Sequence, residues 1–339
     1  MRLFNPVKVG NKMKQKSSMS RATKRQLKRI RRKRLLLFVL IPLVLLFGGV
    51  SVYIGSVYNK AQNVVEDSYE DDGREDGSER RKDVVNPKEN NVSILFVGVD
   101  RGGGREGDTN SGLSDALMVA TFNQEDKSVK LLSIPRDSYV YIPSRDSYTK
   151  ITHAHAYGGI KESIDTVEHL LDMPIDYYVR VDFDAFIDVV DALNGIEVDV
   201  PYAISEMDSN DTKGAIQLSP GEQMVNGEEA LALARTRKYD NDLERGNRQQ
   251  EIISAILDRM ISVNALANIN NLLDAVGDNM TTNMSFDEMK DFSGYISNKL
   301  SLETLNLDGS DMVTDAYYYK LDEGHLEEIK TELHDHLGI

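Results

Sequence analysis

The sequence contains no cysteine in 339 residues. This absence excludes cysteine nucleophiles, thiolate metal sites and disulfides, and it agrees with an exported domain that needs none of them. No Gly-Lys-Ser/Thr triplet follows the glycine run 102–104, so this run is not a nucleotide-binding P-loop. A Ser-His-Asp arrangement and an internal repeat are also missing.

Acidic residues are absent from the first 34 positions, which hold fourteen Lys or Arg. Charges of either sign are then absent from Leu35 to Tyr58. Such a segment spans roughly 36 Å as a helix, enough to cross a ~30 Å hydrocarbon core. A cleaved signal peptide would have a shorter apolar run that ends in a small-x-small site, unlike Val57–Lys60. The sequence therefore predicts one uncleaved transmembrane helix over 35–58.

The charge asymmetry predicts topology and domain organisation. By the positive-inside rule, the basic tail 1–34 is cytoplasmic and everything after the helix is extracellular. A nucleic-acid-binding arm is the alternative, but a basic run beside a membrane span is explained more simply by topology and anionic lipids. Residues 59–91 are predicted to form an acidic extracytoplasmic linker with too few apolar side chains to bury. Residues 92–339 suffice for one α/β domain. The predicted location is the cell membrane, crossed once.

Apolar periodicity predicts alternating strands and helices after residue 91. The predicted strands are 92–99, 116–122, 128–134, 175–181, 302–307 and 313–319. The predicted helices are 158–171, 183–193, 226–234, 248–261, 285–300 and 321–337. The turn at 123–127 indicates a hairpin. The predicted fold class is α/β, with a mixed central β-sheet covered by helices on both faces, behind the single N-terminal transmembrane helix.

Two acids lie beside the predicted strands. Asp100 ends the first strand and Asp115 precedes the next, and such carboxylates fit a shared Mg²⁺ that also binds substrate phosphate. Turn residues or helix N-caps are the alternative, because Asp is common at both. His153 and His155 would lie on one side of a strand, which suggests a second metal alternative, although no third ligand accompanies them.

Six polar residues cluster near the ends of predicted apolar segments: Arg136, Arg235, Arg237, Arg245, Arg248 and Gln249. The last three are spaced i, i+3 and i+4, which places them on one face of a helix start. A planar, permanently charged guanidinium suits bidentate phosphate binding. Structural ion pairs with the abundant Asp and Glu are the alternative. With two acids nearby and no Ser-His-Asp arrangement, the cluster favours phosphate over acyl chemistry.

These segments together resemble the ordered motifs of the LytR–CpsA–Psr family. The matching segments are Phe96–Asp100, Ser114–Asp115, Leu132–Asp137, Lys150–Gly159, Ile175–Val179, Val225–Arg237 and Arg245–Gln249. They follow the family's order from about Val92 to Ile261, behind the membrane topology that the family has. Several motifs together make the resemblance specific.

The resemblance implies an Mg²⁺-dependent phosphotransferase. Such enzymes move an anionic glycopolymer, such as wall teichoic acid or capsule, from a polyprenyl pyrophosphate carrier to a peptidoglycan sugar hydroxyl as a phosphodiester. The implied partners are the lipid-linked polymer, the peptidoglycan acceptor and the cytoplasmic membrane, with no nucleic acid. By motif, Asp100 and Asp115 match the metal ligands, and these two with Arg136 and Arg237 match the catalytic residues. The implied pyrophosphate-binding set is Arg136, Lys150, Arg235, Arg237, Arg245, Arg248 and Gln249.

The chain departs from the family pattern near both acids. Leu113 stands where the family usually has an arginine before Ser-Asp, and Arg101 follows Asp100 directly rather than two residues later. One phosphate or metal contact is therefore missing, or is supplied by Arg101 or Arg105.

Three other functions remain as alternatives. A lipid pyrophosphate hydrolase would use the same site with water as the nucleophile. A non-catalytic membrane or cell-wall regulator or scaffold would need neither Mg²⁺ nor the arginines. A transcriptional regulator is disfavoured, because the 34-residue tail contains no helix-turn-helix.

Overall fold

A six-stranded mixed β-sheet is the centre of the fold. The structure is a computed structural model. It describes residues 53–74, 77–99, 112–209, 212–236, 242–261, 268–277, 279–292, 295 and 301–339. Residues 57–339 form one compact unit.

The strands are β1 (Val92–Val99), β2 (Ser114–Phe122), β3 (Ser128–Ile134), β4 (Tyr139–Ile142), β5 (Ser147–Lys150), β6 (Tyr177–Asp182), β7 (Ile196–Val200), β8 (Ile204–Glu206), β9 (Ile216–Leu218), β10 (Gly221–Val225), β11 (Met280–Thr282), β12 (Ser301–Asn306), β13 (Gly309–Val313) and β14 (Tyr317–Leu321). The helices are α1 (53–67), α2 (Thr152–Leu171), α3 (Phe183–Ala192), α4 (Gly227–Arg235), α5 (Asp242–Ile261), α6 (Ile269–Gly277), α7 (Phe286–Asp291) and α8 (Glu323–Leu337).

The strands of the central sheet lie in the order β11-β6-β1-β2-β3-β12. Strand β1 is parallel to β6 and β3 is parallel to β12, whereas the other neighbouring pairs are antiparallel. The β2–β3 pair is the predicted hairpin, and its register pairs Leu117 with Ile134. The prediction of a mixed sheet is confirmed.

Helices cover both faces of this sheet because its central strands carry apolar side chains on both sides. On one face Leu95 and Val97 pack with Ile164 of α2 and Leu333 of α8. Ile164 and Leu333 are each fully buried, and burial of one such side chain stabilises the fold by about 1.5–3 kcal/mol.

On the other face of the sheet, Met118 and Leu131 pack with Ile253 of α5 and with Phe292 and Tyr295. The alternation of Leu117 with Met118 explains how one strand supplies both cores, since successive side chains point to opposite faces. The predicted α/β class with helices on both faces is therefore confirmed.

Two local predictions are wrong. His153 and His155 lie in α2, not in a strand, because the helix begins at Thr152 and bends at Gly158 and Gly159. Gly159 has φ +65° there, a conformation that glycine adopts without strain. The predicted strand 313–319 is a hairpin instead, in which β13 ends before a turn and β14 begins after it. Apolar alternation continues across this turn and conceals it.

Within the segment predicted as an unpacked linker, residues 59–91, the described residues 59–74 and 77–91 pack on the domain through charged groups. Arg74 lies 2.7 Å from Asp72 and 3.1 Å from Glu168, and its side chain is 7% exposed. Arg81 lies 2.6 Å from Asp176. The prediction counted only apolar side chains, whereas buried carboxylates that are paired and hydrogen-bonded also hold a segment in place.

Several predicted features lie outside the described residues: the tail 1–34, residues 35–52 of the predicted transmembrane helix, Asp100, Arg101, Arg105 and Arg237. Within the described part of the chain, no helix is both long and apolar enough to cross a membrane.

Candidate functional site

The candidate site lies where β2 begins and β3 ends. These two strands are antiparallel, so the start of one and the end of the other meet at the same end of the sheet. Val99, the last residue of β1, pairs with Ser114 and ends there too. Arg136 donates a hydrogen bond through Nη1 to Oδ1 of Asp115. The side chains of Asp115 and Arg136 are 15% and 29% exposed, so the pair is half-buried but accessible to a ligand.

Asp137 links two predicted site cations, although the sequence analysis assigned it no role. Its buried carboxylate lies 2.7 Å from Nζ of Lys150 and 3.8 Å from Nε of Arg136. The register of β4 and β5 pairs Tyr139 with Lys150, which brings Lys150 beside this acid. The sequence signal that could have identified Asp137 is its position directly after Arg136 in a site motif. Asp137 thus holds Lys150 in an ion pair and lies near Arg136, whose buried Nε makes no hydrogen bond with the described residues.

Helix α5 contributes a second arginine to the same end of the sheet. Arg245 is buried, and its Nη2 donates to the main-chain oxygen of Asp115 at 3.0 Å. Its Nε donates to the main-chain oxygen of Ala234 at 3.3 Å, and Gln249 Nε2 donates to the same oxygen at 3.3 Å. Arg245 therefore connects the end of α4 to the start of β2. The structure thereby brings Arg136 and Arg245 together at Asp115.

Arg248 lies in a different environment from its neighbours. It is buried, and its guanidinium donates to the main-chain oxygens of Leu233 at 3.2 Å and Thr236 at 2.6 Å. A helix end has carbonyl groups without intrahelical partners and carries partial negative charge, so a cation there is stabilising. Arg235, in contrast, is exposed and lies 5.2 Å from the ring centroid of Phe183. The predicted role of these arginines in pyrophosphate binding stays a prediction.

Helix α4 is positioned by its first residues. Asn226 accepts a hydrogen bond from the Glu229 amide, and the Glu229 side chain accepts one from the Asn226 amide, which is a capping box. A Cβ at Gly227 would lie 2.3 Å from the main-chain oxygen of Ile187, so only glycine allows α3 and α4 to approach this closely. The Asn-Gly-Glu-Glu sequence thus determines the position at which the C-terminal end of α4 meets α5.

His155 holds the loop that leads into Asp115. It is fully buried, and its Nδ1 lies 2.8 Å from the main-chain oxygen of Gly112. A carbonyl only accepts, so Nδ1 carries the proton. Burial lowers the pKa of His155, which keeps the ring neutral. The sequence pattern suggests His155 only as a metal ligand.

His153 is half-buried, and its Nδ1 lies 2.9 Å from Oγ1 of Thr149. Burial, followed by the nearby charge of Lys150, lowers the pKa of His153. Among the residues that the structure describes, no group of three or more His, Asp or Glu is arranged to hold a metal ion.

The donor set around Asp115 nevertheless suits a hard cation. Arg136 binds Oδ1 of Asp115, while Oδ2 accepts no hydrogen bond from any described residue. Mg²⁺ is commonly bound by one or two carboxylates plus substrate phosphates, and retains several waters. Oδ2 of the half-buried Asp115, at the end of the sheet where β2 begins and β3 ends, meets that requirement.

The fold and the site together define an α/β protein with a carboxylate–arginine site at one end of a mixed sheet. A profile of the LytR_cpsA_psr family matches residues 54–335. The chain belongs to the LytR–CpsA–Psr family, as the motifs indicated.

Named relatives and solved structures agree with this assignment. The polyisoprenyl-teichoic acid–peptidoglycan teichoic acid transferase TagT of Bacillus subtilis (strain 168) is 38% identical over 299 residues, which cover 88% of this chain and 92% of TagT. A structure of TagT bound to LIIa-WTA matches with a TM-score of 0.68 and 40% identity, over 79% of this chain and 98% of that one. TagT with bound octaprenyl pyrophosphate lipid matches with a TM-score of 0.64 and 37% identity, over 79% and 98% of the two chains.

Proposed function

We propose that this protein transfers a glycopolymer of the teichoic acid type from a polyisoprenyl pyrophosphate carrier to peptidoglycan. Relatives that match nearly the whole chain are named as transferases of this kind. TagT, which shares the fold, binds octaprenyl pyrophosphate lipid. The proposal names the class of polymer and leaves its exact repeat open.

The reaction is a phosphoryl transfer. A sugar hydroxyl of the acceptor attacks the phosphorus that carries the polymer, and the bond from that phosphorus to the bridging oxygen breaks. The products are a polymer–peptidoglycan phosphodiester, polyisoprenyl phosphate and one proton. Such a reaction needs little covalent chemistry from the protein and depends on positioning and charge neutralisation.

One observation carries this proposal: two arginines from distant parts of the chain meet at Asp115. Arg136 binds its side chain and Arg245 binds its main chain. Lys150 is held nearby through Asp137. Three cations at one end of the sheet would bind the pyrophosphate oxygens and stabilise the charge that develops on the leaving phosphate.

We also propose that Mg²⁺ is bound here, by Asp115 and by Asp100, which follows directly after β1 in the sequence. The open Oδ2 of Asp115 supports this assignment. When bound, the metal would neutralise charge on the pyrophosphate oxygens. Arg136 would then orient the Asp115 carboxylate through Oδ1 and leave the other oxygen for the metal.

The localisation proposal rests on the sequence. A basic tail before an uncharged 24-residue segment supports a single-pass anchor with the catalytic domain outside the cell. A domain anchored in this way would lie where a lipid-linked donor and the cell wall meet. Protease added to intact protoplasts should digest the large domain and spare the tail. Protection of the large domain would contradict the proposed topology.

The full-length protein, incubated with lipid-linked polymer and peptidoglycan, tests the proposed reaction. Polymer should become covalently attached to peptidoglycan, and the attachment should require the acceptor. Release of free polymer with no attachment would identify a hydrolase instead. The variant Arg136→Lys should fail in transfer, because a lysine amine cannot reproduce the planar guanidinium that donates to Asp115 through Nη1 while its Nε lies near Asp137.

A further inference from the structure

A group of tyrosines covers one face of the structure beside the candidate site. We call it the tyrosine face; it consists of Tyr139, Tyr141, Tyr148 and Tyr318. In β4, tyrosines alternate with Val140 and Ile142, which are buried in the core. The alternation therefore directs every second side chain outward, and the register pairs Tyr141 with Tyr148 on β5.

The rings of this face contact one another in a continuous series. Tyr139 stacks on Tyr148 with ring centroids 5.5 Å apart, and the edge contact between Tyr139 and Tyr318 measures 5.0 Å. Tyr141 meets Tyr148 at 5.5 Å. Tyr148 is 59% exposed and Tyr139 is 38% exposed. Contiguous exposed aromatic surface of this kind is typical of a binding site, not of ordinary protein surface.

The polar groups around the rings also favour the binding of a ligand. Tyr141 donates its hydroxyl to Asp146 at 2.7 Å, a bond that raises the pKa of Tyr141. The hydroxyls of Tyr139, Tyr148 and Tyr318 make no hydrogen bond within the described part of the chain. They are therefore available to a ligand. Flat apolar rings, free hydroxyls and a carboxylate match the two sides of a sugar, its C–H face and its hydroxyl groups.

The tyrosine face is continuous with the candidate site. Nζ of Lys150 lies 5.9 Å from the ring centroid of Tyr318 and 2.7 Å from the carboxylate of Asp137. Asp137 in turn directly follows Arg136 and lies 3.8 Å from its Nε. A parallel bridge between Ser138 and the residue after Tyr318 fixes β14 against β4. A ligand on the tyrosine face would thus end next to the arginine–carboxylate pair.

We propose that the tyrosine face binds the glycan strand of the acceptor peptidoglycan and delivers a sugar hydroxyl to the site. This inference rests on the proposed transferase function. The rings and their hydroxyls fit a sugar, and the transfer reaction needs an acceptor hydroxyl at the arginine–carboxylate pair beside which the tyrosine face ends. Asp146 accepts a hydrogen bond from Tyr141, and Nζ of Lys150 lies 5.9 Å from the ring centroid of Tyr318, so polar groups that can hydrogen-bond sugar hydroxyls border the rings.

Full-length protein in detergent, with polymer-free peptidoglycan glycan strands as the probe, tests this proposal. Tyr148→Ala should weaken glycan binding by about tenfold, which corresponds to ~1.4 kcal/mol. Tyr148→Trp, which restores a flat ring, should retain binding. Tyr69→Ala is the matched control, because Tyr69 is 50% exposed and lies outside the tyrosine face. Octaprenyl pyrophosphate binding should be unchanged in all three variants.

The double variant Tyr139→Ala/Tyr148→Ala decides between the possible outcomes. Unchanged glycan binding by this folded variant would overturn the proposal and leave the transferase function intact. Loss of binding to phosphatidylglycerol vesicles or to purified teichoic acid, with glycan binding retained, would overturn it in favour of a membrane or donor surface. If the wild-type protein transfers no polymer but its glycan binding still depends on Tyr148, the proposed function fails and the glycan site stands.

Discussion

Removal of the Arg248 guanidinium is expected to destabilise the fold without weakening ligand binding. Arg248→Met keeps the length of the apolar stem but removes the donors to the main-chain oxygens of Leu233 and Thr236. Both acceptor residues are 2% exposed, so water cannot easily replace the lost donors. Each buried polar group left without a partner costs about 1–3 kcal/mol. We therefore expect a loss of about 3 kcal/mol in the free energy of unfolding, and a Tm lower by roughly 6–12 °C.

Thermal melts and octaprenyl pyrophosphate binding, both on the full-length chain, measure the two effects separately. Arg235→Met is the matched control, since Arg235 lies on the same helix end but is exposed. It should leave the Tm within about 2 °C of the wild type. In Arg248→Met the folded fraction should bind the lipid with unchanged affinity. An unchanged Tm together with lost binding would refute the reasoning and would identify Arg248 as a pyrophosphate ligand, as the family resemblance implies.

Three further perturbations test other parts of the structure. Asp115→Asn should lower Mg²⁺ affinity by roughly tenfold or more in calorimetry, with little change in Tm; full activity in EDTA would contradict the metal proposal. Burial lowers the pKa of His155 below its ordinary 6.5. The unfolded chain therefore takes up the proton at a higher pH than the folded chain does, and the free energy of unfolding falls as the pH drops below 6.5. Between about pH 7.5 and 5.5, the Tm of His155→Asn should fall less than that of the wild type. Arg74→Met should cost about 3 kcal/mol in urea unfolding because it leaves the buried carboxylates of Asp72 and Glu168 without their cation. Arg80→Met, which breaks an exposed pair with Asp172, should cost less than about 1 kcal/mol.

The candidate site could be predicted in part from the sequence. Asp115, Arg136 and Lys150 stand in short motifs beside strand ends, and strand ends are where ligands gather in α/β sheets. The i, i+3, i+4 spacing correctly placed Arg245, Arg248 and Gln249 on a helix. The spacing gave no information about what that helix face contacts. The roles of Asp137 and His155 were missed because a local pattern does not show which groups a buried acid or a buried histidine will contact.

The sequence by itself determined the local elements and the family. Apolar periodicity is a property of neighbouring residues, so it fixed β3 at 128–134 and the mixed arrangement of strands and helices. The order of the motifs determined membership of the LytR–CpsA–Psr family. Capping residues act over three or four positions, so the start of α4 at the Asn226–Glu229 capping box is encoded by neighbouring residues.

Only the tertiary structure decided which side chains meet. Arg245 reaches the main chain of Asp115 across 130 positions of sequence, and it does so because helix α5 returns to the end of the sheet. Tyr139 and Tyr318 lie on one face because the bridge between Ser138 and Tyr319 aligns two hairpins that are far apart in the sequence. Residues 59–74 and 77–91 pack because distant carboxylates pair with Arg74 and Arg81. Such contacts depend on strand register and helix packing, which no local window of sequence contains.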